Sequence, residues 1–124
     1  MTAPNIVNVS TITAKTASAA LGTSAASIVS NAASSNKVFK INTIVISNVD
    51  GTNNADATVF LNDGANGGGS TNRAIIKTVV VPADASLVVI DGNSKLYLEE
   101  NTSITALASA AGDLEIIVSY EEIS

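Results

Sequence analysis

The chain has no cysteine, no histidine and no tryptophan in its 124 residues. Without Cys there is no disulfide framework and no thiolate chemistry, and redox arguments leave the compartment open. Without His, histidine-ligated zinc and histidine-based acid–base or triad mechanisms are excluded. Aromatics amount to two Phe and two Tyr, which counts against a carbohydrate-stacking surface. Charged residues make up 14% of the chain, against about 25% in ordinary soluble domains. No apolar run approaches the length needed to span a bilayer. The opening MTAPNIVNVS lacks the basic region and hydrophobic stretch of a signal peptide. A soluble protein, not exported by a cleavable signal, is expected.

What is abundant is aliphatic. The chain holds 13 Val, 13 Ile, 7 Leu and 19 Ala. Val and Ile are stiff at χ1 and pack well on a pleated surface, so this core favours sheet over helix. At 12.5 kDa the chain is one domain's worth, able to bury roughly two-thirds of the surface its unfolded form exposes.

The net charge of −5 disfavours nucleic acid and anionic membrane as partners. Its distribution is uneven. Residues 1–49 carry Lys15, Lys37 and Lys40 with no acid, whereas residues 50–124 carry all eleven acids with Arg73, Lys77 and Lys95. A first third without acids fits either an arm covered by something else or a polar arm wetted through Ser, Thr and Asn.

Residues 5–36 are rich in small residues. IVNVSTITA alternates with period two, and the density of Ser and Thr around Gly22 opposes the weak helical spacing that follows. The reading is a strand at about 5–13, an extended small-residue segment, and a short strand at about 25–30. KVFKINTIVISNV (37–49) then predicts a long strand. Phe39, Ile41, Val45 and Val49 share one parity while Ile44 and Ile46 take the other, so either both faces are covered or a bulge near Asn42–Thr43 switches them. Further strands are predicted at 55–63, 74–83 (stopped by Pro82), 86–91, 95–100, 102–109 and 114–123. Asp50-Gly51 and Asp91-Gly92 mark turns, and GANGGGSTN (64–72) reads as a long flexible loop. In the last strand Leu114, Ile116, Val118 and Tyr120 share one face; Glu115, Ser119 and Glu121 share the other with Ile117. Asp113 and Glu121–Glu122 read as guards against edge pairing. The fold class expected is all-β: a jelly-roll-like or immunoglobulin-like antiparallel sandwich of about eight or nine strands with an extended N-terminal arm. Residues 1–24 form the arm or an extra strand, and residues 25–124 the sandwich.

Candidate chemistry is thin. GANGGGSTN invites a phosphate-loop reading, but no Gly-Lys-Ser/Thr follows and Asp63 brings the wrong charge. Asp50, Asn53, Asn54 and Asp56 in VDGTNNAD offer oxygen ligands for calcium but miss the EF-hand spacing, and Asx turns explain the same residues. Glu99-Glu100 and Glu121-Glu122 are adjacent carboxylates, but neighbours on a strand point to opposite faces, so neither makes a glycosidase pair. No G-x-S-x-G motif occurs and no His could serve as base. No catalytic, cofactor-binding or metal-binding residue is assigned, no cofactor is expected, and an enzyme is disfavoured.

The run ASIVSNAASSNKVFKINTIVISNVDGTNNADATVFLND, followed by VVVPADASLVVIDGNSKLYLEENTSITALASAAGDLEIIVSYEEIS, resembles small β-sandwich virion structural proteins of tailed bacteriophages, especially marine and cyanobacterial phages. The resemblance covers about residues 25–124 and carries no catalytic residues. It implies a non-enzymatic virion protein made in the host cytoplasm: a capsid decoration or cement protein on the outer shell, or else a neck, tail or fibre component or host-recognition adaptor presenting the 64–72 loop. The partners it implies are further copies, as a homotrimer, and a coat or other virion protein. Residues 2–24 would then add strand-like hydrogen bonds to a neighbour, with their positive charge facing the acidic part of an adjacent subunit.

Overall fold

The computed structural model describes residues 9–124 of the chain. Nine strands form in it: β1 (Ile12–Ala20), β2 (Ala26–Asn31), β3 (Val38–Asn48), β4 (Ala55–Asn62), β5 (Asn72–Val81), β6 (Ser86–Ile90), β7 (Leu96–Leu98), β8 (Thr102–Ala108) and β9 (Leu114–Ile123). They build two antiparallel sheets. Sheet A is ordered β1-β9-β3-β6, with β7 also on β3; sheet B is ordered β2-β8-β4-β5. The chain alternates between sheets at β1, β2, β3 and β4 and again at β8 and β9, which is a jelly-roll-like course rather than an immunoglobulin-like one. The predicted all-β sandwich is therefore what forms, and all strands from β2 onward fall within two residues of their expected bounds.

The core lies between the sheets. Ile41, Ile44, Ile46, Leu98, Leu114, Ile116 and Val118 of sheet A meet Val29, Ala57, Val59, Ile104, Ala106 and Ala108 of sheet B. The alanines of sheet B let the layers approach while the branched residues of sheet A fill the space. The parity conflict in β3 is resolved by a bulge. Ile41 pairs with Tyr120 and Thr43 with Ser119, leaving Asn42 unmatched. The extra residue turns Phe39, Ile41, Ile44 and Ile46 all inward, as one of the two sequence readings requires.

Two expectations change. The strand foreseen at 5–13 falls partly on residues 5–8, outside the described residues, and the strand that forms is β1, further along. Of the two readings of residues 1–24, an arm or an extra strand, residues 12–20 take the second: they pair with β9 from Ile12↔Ile123 to Ala20↔Glu115. A chain of Ala, Ser and Thr makes this strand because β9 supplies the bulk, so Ala17 and Ala19 suffice on the inner side. The second change concerns β9, which lies between β1 and β3 rather than at an edge. Its acids therefore have work other than guarding an edge.

Asparagines close three strands. Asn31, Asn48 and Asn62 end β2, β3 and β4, and all are buried. Asn48 donates to the carbonyls of Asn53 and Val81, both at 2.9 Å, and accepts from the Asp50 amide. Asn31 donates to the carbonyls of Lys37 and Leu98. Each side chain thus satisfies backbone groups that the departing loop would leave unpaired.

Candidate interaction surface

The two outer faces of the sandwich differ. Part of the outer face of sheet B, over β8 and the end of β2, is covered by the chain's own β4–β5 connection, while Val80 on β5 stays exposed. The Gly-rich segment does not project as a hairpin tip; it folds back as a strap over β8. Asn62 Oδ1 accepts the amides of Gly64 and Gly69, at 2.9 and 2.8 Å. The Asn66 amide donates to Ser30 Oγ at 2.8 Å, the Gly67 amide to Ser103 Oγ at 2.9 Å, and Ser103 Oγ donates to the Gly64 carbonyl. Gly67 has φ +73°, and a Cβ there would press on Thr105 Cγ2 at 3.1 Å; a side chain is disfavoured on both counts. The loop amides that suggested a phosphate cradle are already spent on the protein's own oxygens.

Among the described residues no such strap crosses the outer face of sheet A at Ile117 and Val88, although Val38 and Ile123 at one end of that face are buried. Its side chains form rows set by the register. One row runs Ser18–Ile117–Val45–Val88 across β1, β9, β3 and β6. Ile117 is 50% exposed and Val88 59%. The row beside it is Ala20–Glu115–Ser47–Ser86, in which the Ser47 and Ser86 hydroxyls lie 3.0 Å apart. Towards the other end of the strands comes Ala14–Glu121–Lys40–Tyr97, with Tyr97 exposed. A depression of about 290 Å³ lies at the β1 side, lined by Ser18, Ala19, Ala20, Glu115, Ile116 and Ile117. It exists because β1 carries small residues beside the bulky ones of β9.

The adjacent carboxylates separate as strand geometry demands. Glu121 faces outward in the row with Lys40, and Glu122 faces the end of the core. There Glu122 bonds Lys15 Nζ at 2.8 Å and Lys37 Nζ at 3.1 Å. Its side chain is 14% exposed. The Lys15 hydrogen bond holds the Glu122 carboxyl below its ordinary range, partial burial works the other way, and Lys37 adds to the lowering. The Lys15 ammonium is raised in turn, chiefly by its hydrogen bond to Glu122. Two of the three N-terminal lysines thus share one carboxylate within the chain, and the trio of Lys15, Lys37 and Glu122 keeps a net charge of +1. Glu100 accepts the Asn36 amide at 3.3 Å while Glu99 is exposed.

The residues weighed for calcium form an Asx turn. Asp50 Oδ1 accepts the amides of Thr52 and Asn53, and Oδ2 accepts the Asn53 side-chain amide. The Thr52 amide is the main cause of the lowered Asp50 pKa, followed by the Asn53 side chain and amide. Among the described residues no three acidic side chains gather as a metal site, and no helix is long and apolar enough to cross a membrane. Sequence reasoning missed the Ile117–Val45–Val88 row as a surface feature. The signal was Ile117 itself, an Ile sharing a face with Glu115, Ser119 and Glu121.

No protein-family model matches the chain, and no curated protein sequence matches it. Among solved structures the chain is similar to one from Bacillus endospore appendages, which form a family of disulfide-linked pili. The TM-score is 0.54 at 17% identity, covering 92% of this chain and 87% of that one. At that identity the likeness speaks to the fold, a β-sandwich found there in a pilus. The disulfide links of those pili are out of reach of this chain, which has no cysteine.

Proposed function

We propose that this chain is a non-enzymatic structural subunit of a bacteriophage virion, seated on the outer capsid as a decoration or cement protein and held by contacts with its own copies and with coat subunits. The single observation that carries the reading is the row on the outer face of sheet A in which Ile117 and Val88 stand exposed on either side of Val45. A sheet face with a row of exposed branched residues is a surface made to be covered. The mechanism is mechanical: many weak contacts bridge neighbouring coat subunits, and separating the shell requires breaking them together. The β-sandwich likeness to a pilus supports a role in assembly, and it favours a second reading, a subunit of a filamentous appendage such as a tail fibre.

Quantitative mass spectrometry of purified particles tests the choice. Hundreds of copies per particle are expected for decoration; a handful indicates neck, tail or fibre. Absence from particles would overturn both virion readings. A homotrimer is the oligomer that the phage resemblance implies, and the mass of the free protein in solution tests it separately.

A further inference from the structure

We infer that the outer face of sheet A binds the same face of a second copy, through a two-fold axis that runs along the strands midway between β9 and β3. The inference rests on the reading that the chain works by self-association, and it names the surface. The geometry follows from the strand order. In a sheet ordered β1-β9-β3-β6, such an axis lays β9 over β3 of the second copy and β1 over β6, with every row facing its own equivalent.

The rows then complement themselves. Ile117 lies over Val45 of the second copy, and Val45 over its Ile117, since the two share a row. Val88, at one edge of that row, lies over Ser18 at the other, in the depression that Ser18, Ala19 and Ala20 leave open. Lys40 and Glu121 also share a row, so Lys40 lies over Glu121 of the second copy and Glu121 over its Lys40. Four charges form an alternating square. Glu115 lies over Ser47 of the second copy, whose hydroxyl can donate to it. Each charge of these three rows thus meets an opposite charge or a hydroxyl, which a random pairing of faces would not provide. Tyr97 lies over Ala14, a large residue over a small one.

The size of the face sets the strength. From row 115 to row 121 is roughly 20 Å at about 3.3 Å per residue, and four strands at about 4.8 Å span a similar width. That is roughly 400 Å² per copy, about half of a standard interface. The free dimer is therefore weak, and gains strength when many copies are held together on a scaffold. An isologous contact closes as a dimer, so a trimer would have to use another surface.

A crossed charge-reversal experiment tests this. K40E places Glu at both positions of the square and E121K places Lys at both. Sedimentation equilibrium at low salt, up to about 1 mM, should show wild type dimerising and each variant alone weakened by about tenfold or more. An equimolar mixture of K40E and E121K should recover wild-type affinity, because each reversed pair then faces its opposite. I117K should abolish the dimer. All three positions are on the surface, and far-UV circular dichroism confirms that each variant is folded. If both variants dimerise like wild type, or if the mixture is no tighter than its components, the interface is wrong. A wild type that stays monomeric to 1 mM also overturns the dimer, yet leaves the virion reading intact if the protein is found on particles.

Discussion

Ile116 and Ile117 are neighbours with opposite fates, and they show what single residues do here. Ile116 is fully buried between the sheets, whereas Ile117 stands in solvent. Ile116→Ala should cost about 2–5 kcal/mol in urea unfolding, since it opens a cavity in a packed core. Ile117→Ala should change stability by no more than about 0.5 kcal/mol while weakening self-association. A large stability loss from the second change would mean that the face of Ile117 is covered within the monomer. Glu122 gives the pH dependence. Its folded-state pKa is depressed, so its contribution to stability is present above the unfolded carboxylate value, about 4.3, and is lost as pH falls through the lower folded value. Lys15, raised, contributes below the usual lysine pKa and loses this as pH rises through its folded value. Glu122→Gln should cost about 1 kcal/mol at pH 7 and less at pH 3. Denaturant midpoints at the two pH values check it; an equal loss at both would exclude the ion pairs as the cause.

Among the elements, the strap between β4 and β5 departs furthest from the sequence reading. Asn62→Ala should cost about 1–3 kcal/mol, the penalty for stranding the Gly64 and Gly69 amides, and should speed amide exchange in residues 64–69 ahead of the strands. Unchanged exchange would show that the strap is held by something other than Asn62. The strands themselves were legible because turn-punctuated runs of Val and Ile specify them: β3, β4, β8 and β9 could be read from such runs, although parity left the β3 bulge as one of two readings. Two features escaped. β1 is written in Ala, Ser and Thr, and its strand character is conferred by pairing with β9 at the far end of the chain, a contact that no local pattern reveals. Gly-Gly-Gly reads as flexibility locally, yet the strap is fixed by Asn62, Ser30 and Ser103 from three strands. The candidate surface was half legible. Parity placed Ile117 outward, but its alignment with Val45 and Val88 depends on register, which the sequence does not display.

For the whole molecule, the strap lies over β8 and the end of β2, while Ile117 and Val88 stand exposed on the other sheet. On the proposed reading, weak, self-complementary rows suit an assembly in which contacts are numerous. Methyl NMR of a 12.5 kDa chain, recorded from about 10 µM to 1 mM, tests this most directly. The signals of Ile117, Val45 and Val88 should shift together with concentration while those of Val59 and Ile104 stay fixed. Concentration-independent spectra, or shifts confined to sheet B and its strap, would contradict the account.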